Sequence, residues 1–334
     1  MKFSIVVPIY NVDKYLYRCL SSIVAQTYRD YQVIMINDGS TDQSVKIAKQ
    51  FTQIDKRFVL YSTENQGLAA ARNEAFKYLD GEYVVFIDSD DQITSDYLEI
   101  INEAVISADV DLVHISHSKV TKLTKNVGES GSLKVEDVMN GEQALVQLMD
   151  GELYPTAWST VVKRELIQKY KIRFSDGRLF EDENFEGKVY TRAKKVKVLE
   201  TTRGPYIYLV NRSDSIMGLA TKGTETIRHI QDRHYIFNDE YDYIKKYSSL
   251  DSKYLNQWLL KKMIWLYNHG YDDLHHDHGD YFAKFKNEVR SLYKKRDAKL
   301  PLRLRFQYYK VVSLLVRIMM GFLKKAKRNL ATYK

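Results

Sequence analysis

The chain has 334 residues, of which 44% are hydrophobic and 28% are charged, and it contains four prolines. This composition excludes a disordered or fibrous chain and predicts a folded protein with a substantial core. The single cysteine, Cys19, excludes an internal disulfide bond, and we therefore expect a cytoplasmic protein.

The formal net charge of +8 is concentrated at one end of the chain. Residues 281–334 hold 16 Lys and Arg side chains against two acids, so the rest of the chain is mildly acidic. An enzyme that acts on nucleic acid more often spreads positive charge along its binding cleft. We therefore expect no nucleic-acid partner.

Five apolar runs rich in Val and Ile alternate with segments of helical periodicity in the first third of the chain. The runs are apolar on both faces, which is typical of parallel strands covered by helices on each side. The pattern predicts an α/β fold with a Rossmann-like, doubly wound and mostly parallel sheet. The predicted strands are Phe3–Ile9, Tyr31–Asn37, Arg57–Tyr61, Tyr83–Ile87 and Leu112–Ile115.

Three of these strands end in runs that introduce polar residues, namely 8–11, 37–40 and 88–91. In a doubly wound sheet, ligands bind beyond the carboxyl ends of the strands. The sequence therefore predicts that these three polar runs meet at one binding site.

The run 88–91 places Asp88, Asp90 and Asp91 at the end of a strand. Hard divalent cations such as Mg²⁺ and Mn²⁺ take oxygen ligands, and one or two carboxylates together with substrate phosphates commonly hold them. This interpretation predicts a cation site that a diphosphate completes. The alternative is a solvated turn in which Asp91 or Thr94 caps the next helix.

Two further runs have both a binding and a structural interpretation. Asp38 ends the second predicted strand, where its carboxylate is placed to accept a hydrogen bond from a nucleotide base, although the run 37–42 also suits simple helix capping. Gly67 precedes a helix of small residues that permits close approach of a ligand, and Arg72 on that helix is placed to reach a phosphate or hold a carboxylate. A tightly packed helix explains the alanines but does not need the arginine.

The second half of the chain shows weaker patterns, and residues 118–140 are expected to form a loop. We expect a catalytic domain over residues 1–223, with halves 1–117 and 118–223, and a helical region over 224–334. The basic, amphipathic tail at about 300–330 suits an anionic membrane surface without spanning it. A partner-binding or packed terminal helix is the alternative.

The chain resembles family-2 glycosyltransferases with the GT-A fold, because four of its runs match the N-terminal signature of that family in order. These runs are SIVVPIYN, INDGSTD, ENQGLAAARN and VFIDSDD. The resemblance is close over about residues 3–110. It implies a UDP-sugar donor, a Mn²⁺ or Mg²⁺ cofactor, and metal ligation by Asp90, the first choice, with Asp88. The donor-binding residues that it implies are Pro8, Tyr10, Asp38, Gly67, Arg72, Asp88, Asp90 and Asp91.

The acidic run at 181–183 resembles the acid pair of the same family. Inverting transfer needs a carboxylate that takes the proton of the attacking hydroxyl on the face opposite the leaving diphosphate. The resemblance implies Asp182 as this base and Glu181 as the residue that orients it, with Glu183 as the rival and an acidic loop as the structural alternative. Residues 211–217 resemble the arginine- and serine-bearing loop of the same family. This resemblance implies that Arg212 clamps the diphosphate, and an ordinary surface loop is the alternative.

The expected function is inverting transfer of one hexose or N-acetylhexosamine to a lipid-linked or polymeric glycan, with polyprenyl-diphosphate-linked glycans among the candidates. We expect a peripheral protein on the inner face of the cytoplasmic membrane, and the sequence is compatible with self-association. The alternative is a non-catalytic nucleotide-sugar-binding membrane adaptor. A dehydrogenase is excluded, because PIYNVDKY stands where GxGxxG would be required.

Two residues of the second half have open interpretations. Trp158 is placed to stack on a sugar, although a buried core residue is the simpler interpretation. Thr160 stands where similar proteins often have lysine.

Overall fold

The computed structural model describes residues 1–125, 127–135, 137–211 and 226–294, together with residues 308 and 311. The chain forms two compact units, Met1–Leu219 and Ala220–Lys334. Arg212 lies outside the described residues, as does the predicted basic tail except for those two positions. Their expected roles therefore stay predictions.

The first unit contains a nine-stranded sheet and a three-stranded sheet among its described residues. The strands are β1 Phe3–Ile9, β2 Tyr31–Asp38, β3 Phe58–Thr63, β4 Tyr83–Phe86, β5 Gln92–Ile93, β6 Leu112–Ile115, β7 His117–Val120, β8 Leu133–Val135, β9 Met139–Asn140, β10 Thr160–Lys163, β11 Lys195–Thr201 and β12 Tyr206–Leu209. The helices are α1 Asp13–Val24, α2 Ser44–Ile54, α3 Leu68–Ala75, α4 Tyr97–Ala108, α5 Gly141–Asp150, α6 Arg164–Tyr170 and α7 Glu181–Arg192.

The large sheet runs in the order β3-β2-β1-β4-β10-β6-β11-β8, with β9 also paired to β11. Strands β1, β2, β3 and β4 are joined by parallel pairs, and β6 pairs with β11 in the same way. The expected α/β class with a mostly parallel sheet is confirmed. All five predicted strands are present, and their ends differ from the predicted ones by at most two residues, because apolar runs buried on both faces carry a strong signal.

Strand β10 enters the sheet between β4 and β6 and is antiparallel to both. It comes from residues of the second predicted half, so the halves 1–117 and 118–223 share one sheet. The region 118–140, expected to be a loop, instead contains part of β7 and all of β8 and β9. These strands are two to four residues long, which is too short to show a periodic pattern, and their partners β11 and β12 lie far along the chain.

The core of the first unit follows from the apolar pattern. All residues of β1 and β2 are buried. Helix α1 covers the sheet with Leu16, Cys19, Leu20 and Ile23, which recur at three- and four-residue intervals and are all fully buried. Cys19 therefore packs in the core like a small apolar residue, and burial raises the pKa of its thiol.

The second unit is helical over its described residues, with α8 Ile227–Tyr247, α9 Ser252–Leu274 and α10 Gly279–Lys294. Tyr267 of α9 lies edge-on against Phe282 and Phe285 of α10. None of the helices in the described ranges combines the length and the apolar character that a membrane span requires.

Candidate active site

The three polar runs lie at one edge of the sheet, because β2, β1 and β4 are parallel neighbours. The loops after β1 and β2 also bind each other. The side-chain oxygen of Asn11 accepts a hydrogen bond from the backbone N–H of Thr41 at 2.8 Å, and the Ser40 hydroxyl accepts one from the backbone N–H of Asn11 at 3.2 Å. Pro8 is buried within β1, whereas Tyr10, just past the strand, is 49% exposed.

Asp38 is buried at the end of β2 and holds the loop that leads into α3. One carboxylate oxygen accepts the backbone N–H of Gln66 and the other accepts that of Gly67, both at 2.8 Å. Gly67 has a φ of +94°, a conformation that favours glycine, and α3 begins at the next residue. Asp38 therefore fixes the start of α3, and the expected donor contacts of Asp38 and Gly67 stay predictions.

Arg72 of α3 is only 2% exposed and links two parts of the site. Its Nη1 donates to Glu181 Oε1 and its Nη2 donates to Asp88 Oδ1, each at 2.7 Å. Of the two alternatives that the sequence left open, holding a carboxylate is what the structure shows, and Arg72 holds two. Charge-assisted bonds of this kind compensate a buried guanidinium, which would otherwise be costly to remove from water. The donor contact expected for Arg72 stays a prediction.

The acidic run at the end of β4 divides into two parts. Asp88 and Asp90 are partly exposed, whereas Asp91 is fully buried. The Tyr206 hydroxyl donates to Asp91 Oδ2 at 2.7 Å, and the backbone N–H of Leu209 donates to Oδ1 at 2.8 Å. Burial, and then the charges of Asp90 and Asp88, raise the pKa of Asp91 well above its ordinary value.

Asp91 thus ties the acidic run to β12. The Tyr206 hydroxyl that donates to Asp91 also accepts a hydrogen bond from the backbone N–H of Asp88 at 3.1 Å. Both oxygens of Asp91 are engaged inside the protein, which gives it a positioning role in the structure. The donor contact expected for Asp91 stays a prediction. Asp88 and Asp90 are the acids of this run that solvent reaches.

A divalent cation fits Asp88 and Asp90 only as part of a larger ligand set. Within the described residues, no three or more His, Cys, Asp or Glu side chains are grouped so that they could hold a metal ion by themselves. Two partly exposed carboxylates that a diphosphate completes are the ordinary arrangement for Mg²⁺ or Mn²⁺. The donor set therefore fits a cation that binds together with a nucleoside diphosphate.

Helix α7 carries Glu181, Asp182 and Glu183 in its first turn. The unpaired N–H groups at a helix start favour negative charge there. Phe185 of the same helix stacks on Phe174 at 4.0 Å and lies edge-on to Phe86 of β4 at 5.6 Å. This aromatic packing holds α7 against β4, the strand that the acidic run follows.

Asp182 is largely shielded from solvent, with only part of the residue exposed, and it therefore differs electrostatically from an ordinary surface aspartate. Burial, and then the charge of Glu181, raise the pKa of Asp182 well above its usual value, while Arg72 opposes the rise. A carboxylate with a raised pKa is a stronger proton acceptor when ionised. The arrangement therefore suits a general base beside a positively charged clamp.

Two residues of the site were not predicted from the sequence. Tyr206 holds Asp91 across 115 positions of the chain, and nothing in its own neighbourhood signals that contact. Glu186 is fully buried one turn after Asp182 and accepts a hydrogen bond from the Thr160 hydroxyl at 2.6 Å. The four-residue spacing from Asp182 places both on one side of α7 and is a signal that the sequence does contain.

Comparisons with known proteins show the family and the fold of the chain. A family model described as Glycosyl transferase family 2 matches residues 4–171. Glycosyltransferase GlyA of Streptococcus pneumoniae serotype 4 is 34% identical over 218 residues, which are 63% of this chain and 31% of that protein. This chain thus spans about a third of GlyA. Glycosyltransferase GlyG of the same organism is 32% identical over 223 residues, 64% of this chain and 72% of that protein.

The fold is similar to that of S. aureus TarS 1–349, solved in complex with UDP. The TM-score is 0.67 and the sequence identity is 20%, over 93% of this chain and 90% of that chain. At this identity the likeness concerns the fold.

We predict that Tyr206→Phe destabilises the protein by about 1–3 kcal/mol, because it leaves Asp91 buried without one of its donors. Urea unfolding followed by circular dichroism measures the change. Tyr17→Phe, at a tyrosine that is 59% exposed on α1, is the matched control and is expected to leave the free energy of unfolding unchanged. Equal stabilities of the two variants would contradict the anchoring role of Tyr206.

Proposed function

The chain belongs to glycosyl transferase family 2, and we propose that it moves one hexose or N-acetylhexosamine from a UDP-sugar to a hydroxyl of a glycan, with inversion at the anomeric carbon. The observation that carries the proposal is the position of Arg72, which joins Asp88 of the acidic run to Glu181 beside Asp182. A carboxylate pair for the donor and a carboxylate base for the acceptor are thereby held on one framework.

The donor site is proposed at the edge formed by β2, β1 and β4. Tyr10 offers an exposed ring at the end of β1, and Pro8 and Asp38 lie at the same edge. The complex of TarS with UDP, a protein of similar fold, supports UDP as the nucleotide. Arg212 is proposed to close on the diphosphate.

Asp88 and Asp90 are proposed to hold Mn²⁺ or Mg²⁺ together with the diphosphate, with Asp90 as the main ligand. When bound, such a cation neutralises the charge that builds on the departing UDP. Arg72 fixes Asp88 by one oxygen, so the acid is already oriented before the donor arrives.

Asp182 is proposed as the general base. Its carboxylate accepts the proton of the attacking hydroxyl while the new glycosidic bond forms and the bond to UDP breaks. Glu181, held by Arg72 at 2.7 Å, orients the first turn of α7 and adds the negative charge that strengthens the base. A single displacement of this kind needs no covalent enzyme intermediate.

The acceptor is proposed to be a lipid-linked or polymeric glycan, with polyprenyl-diphosphate-linked glycans as one candidate. We propose that the sugar transfer takes place at the inner face of the cytoplasmic membrane and that the basic segment 300–330 binds anionic lipid there. A non-catalytic adaptor that binds nucleotide sugars is the second candidate, and loss of turnover in a base variant separates the two.

We predict that a UDP-sugar with Mn²⁺ or Mg²⁺ raises the melting temperature, whereas GDP- and dTDP-sugars do not. At 100 times the dissociation constant the gain is about 2.7 kcal/mol, which corresponds to several degrees. Chelation by EDTA or the Asp90→Ala substitution is expected to remove the shift, because each removes the cation. Glu103→Ala, at an exposed acid on α4, is the matched control. A shift that persists in Asp90→Ala would contradict the assignment.

We predict that Asp182→Asn lowers the rate of UDP release from the donor by about 100-fold or more, because the proton acceptor is lost. Binding of UDP and metal, measured by thermal shift, is the accompanying readout and is expected to persist. In the wild type, the rate is expected to fall as the pH drops through the raised pKa of Asp182, so the acid limb lies above the range of an ordinary aspartate. A loss in Glu183→Gln but not in Asp182→Asn would assign the base to Glu183.

A further inference from the structure

Five aromatic side chains form a continuous series on one face of the small sheet, and we call this series the aromatic ladder. Parallel pairing places Tyr206 opposite His117, and Tyr208 opposite Lys119, so these side chains share a face. Trp158 stacks on Tyr206 and on Tyr208, with distances between ring centroids of 4.5 Å and 5.4 Å. The ladder consists of Tyr206, Tyr208, Trp158, His117 and Tyr154.

The inner end of the ladder lies against the acidic run. The Tyr206 hydroxyl contacts both the Asp91 carboxylate and the backbone N–H of Asp88. Tyr208 stands two residues further along β12 and is partly exposed. Burial raises the pKa of the Tyr208 hydroxyl, and so do the charges of the acidic run and of Asp182, which places this ring within the field of both groups of acids.

The outer end of the ladder reaches the surface. His117 lies edge-on to Trp158 at 4.9 Å and to Tyr154 at 4.8 Å. Tyr154 is 49% exposed, and the Lys119 ammonium lies 5.7 Å from the centre of its ring. Core packing accounts for the buried rings of Trp158 and Tyr206. It does not account for a half-exposed tyrosine held in place by a histidine and a lysine.

Trp158 adds an independent observation. Its indole N–H is buried and has no hydrogen-bond partner in the described part of the chain. Buried indole N–H groups normally find an acceptor. Among the described residues, the indole donor of the ladder therefore has no acceptor, and it belongs to an aromatic surface that is open at its outer end.

We propose that the exposed edge of the ladder, formed by Tyr208, His117 and Tyr154, binds a sugar ring of the acceptor glycan. A pyranose has an apolar C–H face that packs on aromatic rings and a rim of hydroxyls that Lys119 can meet. The ladder begins beside the acids of the site, which is where an attacking hydroxyl must be held for transfer. This inference rests on the proposed function and extends it to the acceptor class and its binding residues.

Saturation-transfer NMR tests the inference with defined probes on the 334-residue chain. The probes are the methyl β-glycosides of glucose, galactose and N-acetylglucosamine, each at millimolar concentration with UDP present in excess. We expect at least one of them to bind and to receive most saturation on the protons of one C–H face. UDP binding by the wild type is measured first, so failure of the proposed function is detected separately.

Two variants and one control locate the binding. Tyr154→Ala and Tyr208→Leu are each expected to weaken binding of the glycoside by about two- to tenfold, the range for loss of one aromatic contact. Tyr17→Ala, at the 59% exposed tyrosine of α1, is expected to leave binding unchanged. Circular dichroism confirms that each variant is folded.

Three results would overturn the inference. The first is a wild type that binds UDP but none of the glycosides. The second is binding that neither ladder variant changes. The third is an equal loss in Tyr17→Ala, which would show that any exposed tyrosine produces the effect.

Discussion

The buried guanidinium of Arg72 is the interaction on which the geometry of the site depends. It lies between Asp88 at the end of β4 and Glu181 at the start of α7, and each bond is 2.7 Å long. A buried cation is tolerated only when its partners stay in place, so α3, β4 and α7 are coupled through one side chain. Asp38 extends this coupling, because it fixes the two backbone N–H groups just before α3.

The carboxylates of the acidic run differ in burial and in hydrogen bonding, although they are close in sequence. Asp91 is fully buried and is bound by Tyr206 and Leu209, whereas Asp88 and Asp90 remain accessible. The buried acid fixes the strand end, and the partly exposed acids are the ones proposed to hold a cation together with a diphosphate. Tyr206 then connects this arrangement to the aromatic ladder, so the acidic run and the proposed acceptor surface share one support.

The sequence was sufficient for features that depend on local pattern. The buried strands followed from apolar runs, and the convergence of three polar strand ends followed from the parallel topology. It was not sufficient where distant segments decide the outcome. Three features depend on contacts that no local pattern encodes. Strand β10 inserts between β4 and β6, and Arg72 pairs with Glu181, which lies 109 positions further along the chain. Asp91 is buried and accepts a hydrogen bond from Tyr206. Two acids one residue apart, Asp90 and Asp91, look alike in sequence and differ only in what packs around them.

A double-mutant cycle of Arg72→Met and Glu181→Leu, read as free energies of unfolding, tests the coupling most directly. Each single substitution leaves a buried charge without this partner and is expected to cost about 3–5 kcal/mol. The double variant is expected to cost clearly less than the sum, with a coupling free energy of about 2 kcal/mol or more. Additive costs would show that Arg72 and Glu181 act independently, and would contradict the account of a site held together by one buried cation.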